Sequence, residues 1–264
     1  MSHRIIYYYQ TFSEGLYNLF NSGCAVTHIH LASIHFGTNN DGSLYIHLND
    51  NVPTHKMFDH VWEDLGICKT YGIKNILMIG GAGGGYSTLF SNYTRCYPLL
   101  KELILKKIDY IDGVDLDIEE TVDMNKVIKL IFDLKGDFGS DFMITMAPIQ
   151  QSLETDDIGL GGFSYKALYK KVGNLIDYFN TQFYTDYSLE AYTKVINNGY
   201  PENKIVIGSL SSDDLNTTTT AVKLISYKYN NFGGVYNWEY FDSPPSSNNP
   251  SLWSICMSHA MYKG

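Results

Sequence analysis

The stretch Ile111-Asp112-Gly113-Val114-Asp115-Leu116-Asp117-Ile118-Glu119-Glu120 decides how this chain is read. From 114 to 119 it alternates strictly: Val114, Leu116 and Ile118 are apolar, and Asp115, Asp117 and Glu119 are acidic. A strand sends successive side chains to opposite faces. Three carboxylates therefore project from one face and three branched apolar side chains from the other. Like charges held that close repel, so at least one carboxyl is pushed toward its protonated form. A protonated carboxylic acid beside ionised ones is the equipment of a general acid. Two blander readings compete. Hard divalent cations like carboxylate clusters, but no second acidic or histidine cluster is placed in the sequence to complete a shell, so no metal is expected. An acidic edge strand facing water would still leave Val114, Leu116 and Ile118 needing a partner layer.

Outward from this strand, apolar β-branched runs recur at 5–9, 28–34, 75–79, 142–147, 178–184, 205–209 and 234–238, with the acidic strand itself at 113–119. Amphipathic stretches at 11–21, 55–71, 97–107, 124–134, 165–172, 189–197 and 218–229 separate them, and a terminal helix is expected near 252–262. Strict alternation with buried strands predicts a parallel sheet. Eight such units in 264 residues predict an α/β fold: a single (β/α)8 TIM barrel without a large insertion domain, with an open doubly wound sheet as the alternative. Active sites of such barrels lie at the C-terminal ends of the strands. The carboxylates then climb toward the mouth, with Glu119 highest.

Composition narrows the partners. A net charge of -9 argues against a nucleic-acid surface and suits a neutral or cationic substrate. The 22 Tyr and 3 Trp offer flat faces for sugar rings, although core packing accounts for most of them. No apolar run reaches the length of a membrane span, so no membrane partner is expected. The segment 1–9 is too short in its apolar part for a signal peptide. The protein stays inside the cell, or a leader was removed, or export uses another route. Cys24, Cys68, Cys96 and Cys256 show no CxxC spacing and are expected as free thiols. A monomer is expected.

Several features have plain readings. Gly80-Gly-Ala-Gly-Gly-Gly85 lacks the Lys-Ser/Thr of a phosphate loop and is expected to be a flexible turn at the barrel mouth. His28, His30 and His35 lack zinc-like spacing and are expected in the core or just behind the site. Glu120 is expected to face away from Glu119 in a loop or helix start, residues 217–220 to start a helix, and Asp213 and Asp214 to be solvated. Asn92 and Asn216 head formal glycosylation sequons that mean little without a leader.

Asp112-Gly-Val-Asp-Leu-Asp-Ile-Glu119 resembles the DGxDxDxE signature of glycoside hydrolase family 18, the chitinases and endo-β-N-acetylglucosaminidases. Weaker marks extend the resemblance over the whole chain 1–264 as one catalytic barrel. Asn75-Ile-Leu-Met-Ile-Gly-Gly81 is similar to the third-strand SxGG element, with Met78 in place of Ser; Met146-Ala147-Pro148, Gln182-Phe183-Tyr184 and Tyr236-Asn237-Trp238-Glu239 are similar to later strand ends. The resemblance implies a retaining mechanism in which the substrate's own acetamido group is the nucleophile, an exception to the two-carboxylate rule. It makes Glu119 the acid, has Asp117 orient the acetamido group, lets Asp115 share a proton with Asp117, and assigns Tyr184 to the acetamido oxygen. It implies that Trp238 carries the reacting sugar, with Gln182, Met146, Tyr7, Asp112 and Gly81 as further substrate-binding positions. Thr185 stands where many members have Asp or Asn, with Asp186 next; Met78 loses a hydroxyl available to the carboxylates.

The implied partner is an N-acetylglucosamine-containing oligo- or polysaccharide. Chitin and the chitobiose core of N-glycans both fit the signature, and a non-catalytic carbohydrate-binding relative is disfavoured because all three acids are present. The short span between Ser209 and Gly233 leaves no room for a groove-walling insertion, so an open cleft and endo cleavage are expected.

Overall fold

A computed structural model describes residues 3–20 and 23–262. Nine strands form one sheet: β1 (Arg4–Tyr9), β2 (His28–Thr38), β3 (Leu44–Leu48), β4 (Lys74–Gly80), β5 (Gly113–Asp117), β6 (Met143–Met146), β7 (Tyr178–Gln182), β8 (Ile205–Leu210) and β9 (Gly234–Trp238). Their order is β1-β9-β8-β7-β6-β5-β4-β2, and β1 pairs in parallel with β2 to close the ring. This is the eight-stranded parallel (β/α)8 barrel, with β3 attached antiparallel to β2 outside it.

The connecting helices are α1 (Asp59–Thr70), α2 (Tyr86–Ser91), α3 (Tyr93–Lys106), α4 (Met124–Phe138), α5 (Gln151–Glu154), α6 (Tyr165–Val172), α7 (Leu189–Asn197), α8 (Leu215–Lys228) and α9 (Ser251–Met261). Four begin at a side-chain cap: Asp123 accepts from the Asn125 N–H, Ser164 from Ala167, Ser188 from Ala191 and Asp214 from Thr217. Each cap satisfies an amide that the first turn leaves open, a contribution of about 1 kcal/mol. Asp214 is thus a helix cap, and Asp213 accepts from the Leu210 N–H.

Three local expectations fail for identifiable reasons. The stretch 11–21 forms only a 3-10 helix at Leu16–Phe20, and residue 21 lies outside the described residues. The extra strand β3 was signalled by Asn40-Asp41-Gly42, a turn sequence between alternating residues: Asp41 accepts from the Ser43 N–H, and Gly42 takes φ +79°. Helix α3 starts at Tyr93 rather than 97, with the short α2 before it.

The core has two layers. Inside the barrel lie Ile6, Tyr8, Ala32, Met78, Tyr178, Val206 and Tyr236. Between barrel and helices lie the alternate residues of the same strands, among them Ile5, Tyr7 and Tyr9 of β1 and Val114, Leu116 and Ile118 around β5. Gly208 leaves the room that Tyr236 fills, since a Cβ there would sit 1.9 Å from its ring. All four cysteines are unpaired, and among the described residues no helix is long and apolar enough to cross a membrane.

Candidate active site

Strand β5 turns Asp115 and Asp117 into the barrel, and Glu119 follows just beyond the strand end. Asp115 is wholly buried, Asp117 nearly so, and Glu119 is partly open. Gln182 at the end of β7 ties the upper pair together. Its Nε2 lies 3.1 Å from Glu119 Oε1, 3.4 Å from Asp117 Oδ1 and 3.0 Å from the Ala147 carbonyl. The Gly81 N–H donates to the Asp117 carbonyl at 2.9 Å. Gly81 takes φ +82°, and a Cβ there would press on Met78 at 2.9 Å, so glycine lets this turn lie against the carboxylates.

The two aspartates have opposite surroundings. Burial drives the Asp117 carboxyl well above the ordinary aspartate value, and the charges of Glu119 and Asp115 add to the effect. Burial pushes Asp115 up as well, but the charge and hydrogen bond of His30 and the hydroxyls of Thr145 and Tyr8 outweigh it and leave it below the ordinary value. Tyr8 Oη donates to Asp115 Oδ2 at 2.7 Å and Thr145 Oγ1 to Oδ1 at 2.5 Å. The surroundings thus favour a proton on Asp117 and charge on Asp115 below it, with Glu119 above.

Aromatic groups complete the mouth. The Tyr236 hydroxyl donates to the Tyr184 hydroxyl at 3.0 Å. Half-buried Trp238 packs on Tyr8, ring centroids 5.1 Å apart. Burial raises the Tyr184 phenol, so it stays protonated and can donate. On the same face an open cavity of about 670 Å³ is lined by Gln10, His35, Tyr45, His47, Asn49 and Gly83, among others.

Glu119, Asp117, Asp115, Gln182, Tyr184, Trp238 and Gly81 are thus brought together, whereas three expected positions are corrected. Tyr7 points out of the barrel: it is fully buried against Tyr240 and Trp253 and donates to the Pro250 carbonyl at 2.6 Å. Tyr8 is the inward residue of that strand. Met146 likewise packs in the outer layer, and Thr145 faces inward. Asp112 precedes β5 at its other end, where it binds Lys69, Lys74 and the Asn75 N–H. The inward residues Tyr8, Thr145, Asn180 and Tyr236 escaped the sequence reading. Parity would have found them, given one reference residue on each strand.

The glycine turn is tethered on two sides. Glu120 accepts from the Tyr86 N–H and the Ser87 hydroxyl, and His35 Nδ1 lies 3.0 Å from the Gly84 carbonyl. Thr185 is exposed and accepts from Gln151 at 2.9 Å, and Asp186 is exposed.

The profile of Glycosyl hydrolases family 18 matches residues 4–242. The chain belongs to glycosyl hydrolase family 18. Among solved structures, a fungal endo-β-N-acetylglucosaminidase of the same family is 31% identical, with 97% of each chain covered and a TM-score of 0.87. The chitinase ChiC from Aspergillus fumigatus is 30% identical, with 99% of this chain and 100% of that chain covered and a TM-score of 0.86. A family 18 chitinase from Pseudoalteromonas aurantia, 21% identical with a TM-score of 0.76 over 97% of this chain and 99% of that one, shares the fold. A comparison with curated proteins finds no match. This family 18 protein is a glycosidase, and its family acts on glycans containing N-acetylglucosamine.

Proposed function

We propose that this family 18 glycosidase performs retaining, substrate-assisted endo-hydrolysis of β-1,4-linked N-acetylglucosamine, in chitin or chito-oligosaccharides. The observation that carries the reading is the acid column itself: Gln182 Nε2 stands 3.1 Å from Glu119 Oε1 and 3.4 Å from Asp117 Oδ1, above an Asp115 held by Tyr8, Thr145 and His30. Glu119 gives its proton to the glycosidic oxygen as the bond to the anomeric carbon breaks. The acetamido carbonyl oxygen of the same sugar attacks that carbon and forms an oxazolinium. Asp117 holds the acetamido N–H and offsets the developing positive charge by passing its proton toward Asp115. Tyr184 donates to the acetamido oxygen and Trp238 carries the sugar ring. Glu119 then takes a proton from the water that opens the intermediate. Gln182 keeps Glu119 and Asp117 in register, and the Gly81 turn admits the sugar. The whole chain acts as one catalytic barrel and as a monomer, without cofactor.

A second reading, cleavage of the chitobiose core of N-glycans, is favoured by the 31% identity to an endo-β-N-acetylglucosaminidase over nearly the full length of both chains. Incubation with chitopentaose and, in parallel, with a high-mannose glycoprotein separates the two. Chito-oligomer cleavage alone supports the chitinase. Release of glycan leaving one N-acetylglucosamine on the protein moves the reading to the second substrate. Cleavage of neither defeats both.

A further inference from the structure

Asp115 gathers donors from four strands that are far apart in sequence. Tyr8 comes from β1, His30 from β2, Thr145 from β6 and Asn180 from β7. Its register partner on β4, Met78, fills space inside the barrel and offers no hydroxyl. Of the four donors only His30 can also carry a positive charge. Its ring is fully buried. Nδ1 lies 3.3 Å from Asp115 Oδ2, and Nε2 lies 3.0 Å from the Tyr178 hydroxyl. Protonated on Nδ1, the ring donates to the carboxylate there and meets the Tyr178 hydroxyl at Nε2, and Asn180 Nδ2, 3.3 Å from Nδ1, then donates to Asp115 alone. The groups that face this ring are Tyr8 of β1, with centroids 4.9 Å apart, Asp115 of β5, and Tyr178 and Asn180 of β7. His28 lies two residues back on the same strand, and Arg4 stands over the Tyr178 ring, 4.3 Å from its centroid. Asp117, by contrast, has one long side-chain hydrogen bond, 3.4 Å from Gln182.

We infer that His30 is a positioning residue, whose Nδ1–H keeps Asp115 the charged member of the aspartate pair and so leaves the resting proton on Asp117. Asp115 is then ready to receive that proton as positive charge develops on the sugar. The inference rests on the substrate-assisted reading for its catalytic consequence. Its electrostatic content stands apart from turnover, and the two are tested separately.

His30→Asn keeps an amide where Nδ1 stands, while His30→Gln moves the amide toward Tyr178. With the Nδ1 donor lost, Asp115 binds its proton more tightly and the doubly protonated, inactive pair forms at higher pH. The acid limb of kcat/KM on chitopentaose should therefore move up by about one pH unit in His30→Gln and stay near wild type in His30→Asn. In the same proteins without substrate, the 13C carboxyl resonance of Asp115, assigned by its loss in Asp115→Asn, should titrate below the free-aspartate range in wild type and move up in His30→Gln alone. His30→Phe serves as a third variant, expected to behave as His30→Gln. A resonance that does not move in His30→Gln, or moves equally in His30→Asn, overturns the inference. A resonance that moves as expected in a protein that cleaves no substrate leaves the role of His30 standing and defeats the proposed reaction instead.

Discussion

Asp112 and Asp117 bracket the same short strand and belong to the same sequence signature, yet the two ends of β5 treat a carboxylate in opposite ways. Asp112 is partly buried, which pushes its carboxyl up. The Asn75 N–H at 2.9 Å and the ammonium groups of Lys69 at 2.9 Å and Lys74 at 3.2 Å more than offset this and hold it below the ordinary range. Asp117, at the other end, is buried against two further acids and meets no cation, so it is held well above that range. The cavity at the N-terminal end, about 460 Å³, is lined by Arg4, His28 and Lys74 among others, and the C-terminal end carries the acids. The residue type does not set the role. An aspartate with donors on both oxygens anchors the barrel, and one buried without them is pushed toward its protonated form.

Substitutions should separate the two ends, in descending order of effect. Glu119→Gln should lower kcat by on the order of a thousandfold or more while chito-oligosaccharide binding, measured calorimetrically, survives; retained turnover would remove Glu119 from the mechanism. Asp117→Asn should lower kcat by roughly a hundredfold and yet stabilise the fold. The folded state of the parent keeps a proton that the unfolded chain releases near the ordinary aspartate value of about 4. Parent stability therefore declines as pH rises from there through the raised folded value, and Asn escapes this decline. Thermal unfolding should show a larger advantage of the variant at pH 7 than at pH 4; an advantage independent of pH would contradict the neutral Asp117.

Asp112→Ala should behave in the reverse sense. It should cost about 1–3 kcal/mol of stability while kcat stays within about twofold of the parent. The stability that Asp112 contributes is present above the ordinary aspartate value and is lost as pH falls through its lowered folded value. The cost should thus be full at pH 7 and shrink in acid denaturation experiments. A large fall in kcat without loss of stability would mean that this end reaches the substrate after all. The smallest effect is expected for Trp238→Ala, a several-fold rise in KM for chitopentaose from about 1 kcal/mol of lost ring contact. An unchanged KM would take the sugar off that ring.

Much of this was legible in the chain itself, and the exceptions are instructive. Alternation in Val114–Glu119 needs no tertiary information to put three acids on one face, and four helix starts carry their caps in the local sequence. The hairpin strand β3 was also announced, by Asn40-Asp41-Gly42, but as one more short polar gap it did not stand out among the β-α connections.

Other features were closed to the sequence because they depend on partners distant along it. An apolar strand such as Ile5-Ile6-Tyr7-Tyr8-Tyr9 is buried on both faces, so no change of polarity marks which tyrosine enters the barrel; only closure of β1 between β2 and β9 sends Tyr8 inward and Tyr7 toward α9. The same ambiguity separates Thr145 from Met146. The sequence alone determined the eight-unit barrel and the column of Asp115, Asp117 and Glu119, because strand periodicity and buried alternation are local. The tertiary structure alone decided how unlike the surroundings of those acids are, because His30, Tyr8, Thr145 and Asn180 meet at Asp115 only when the barrel closes.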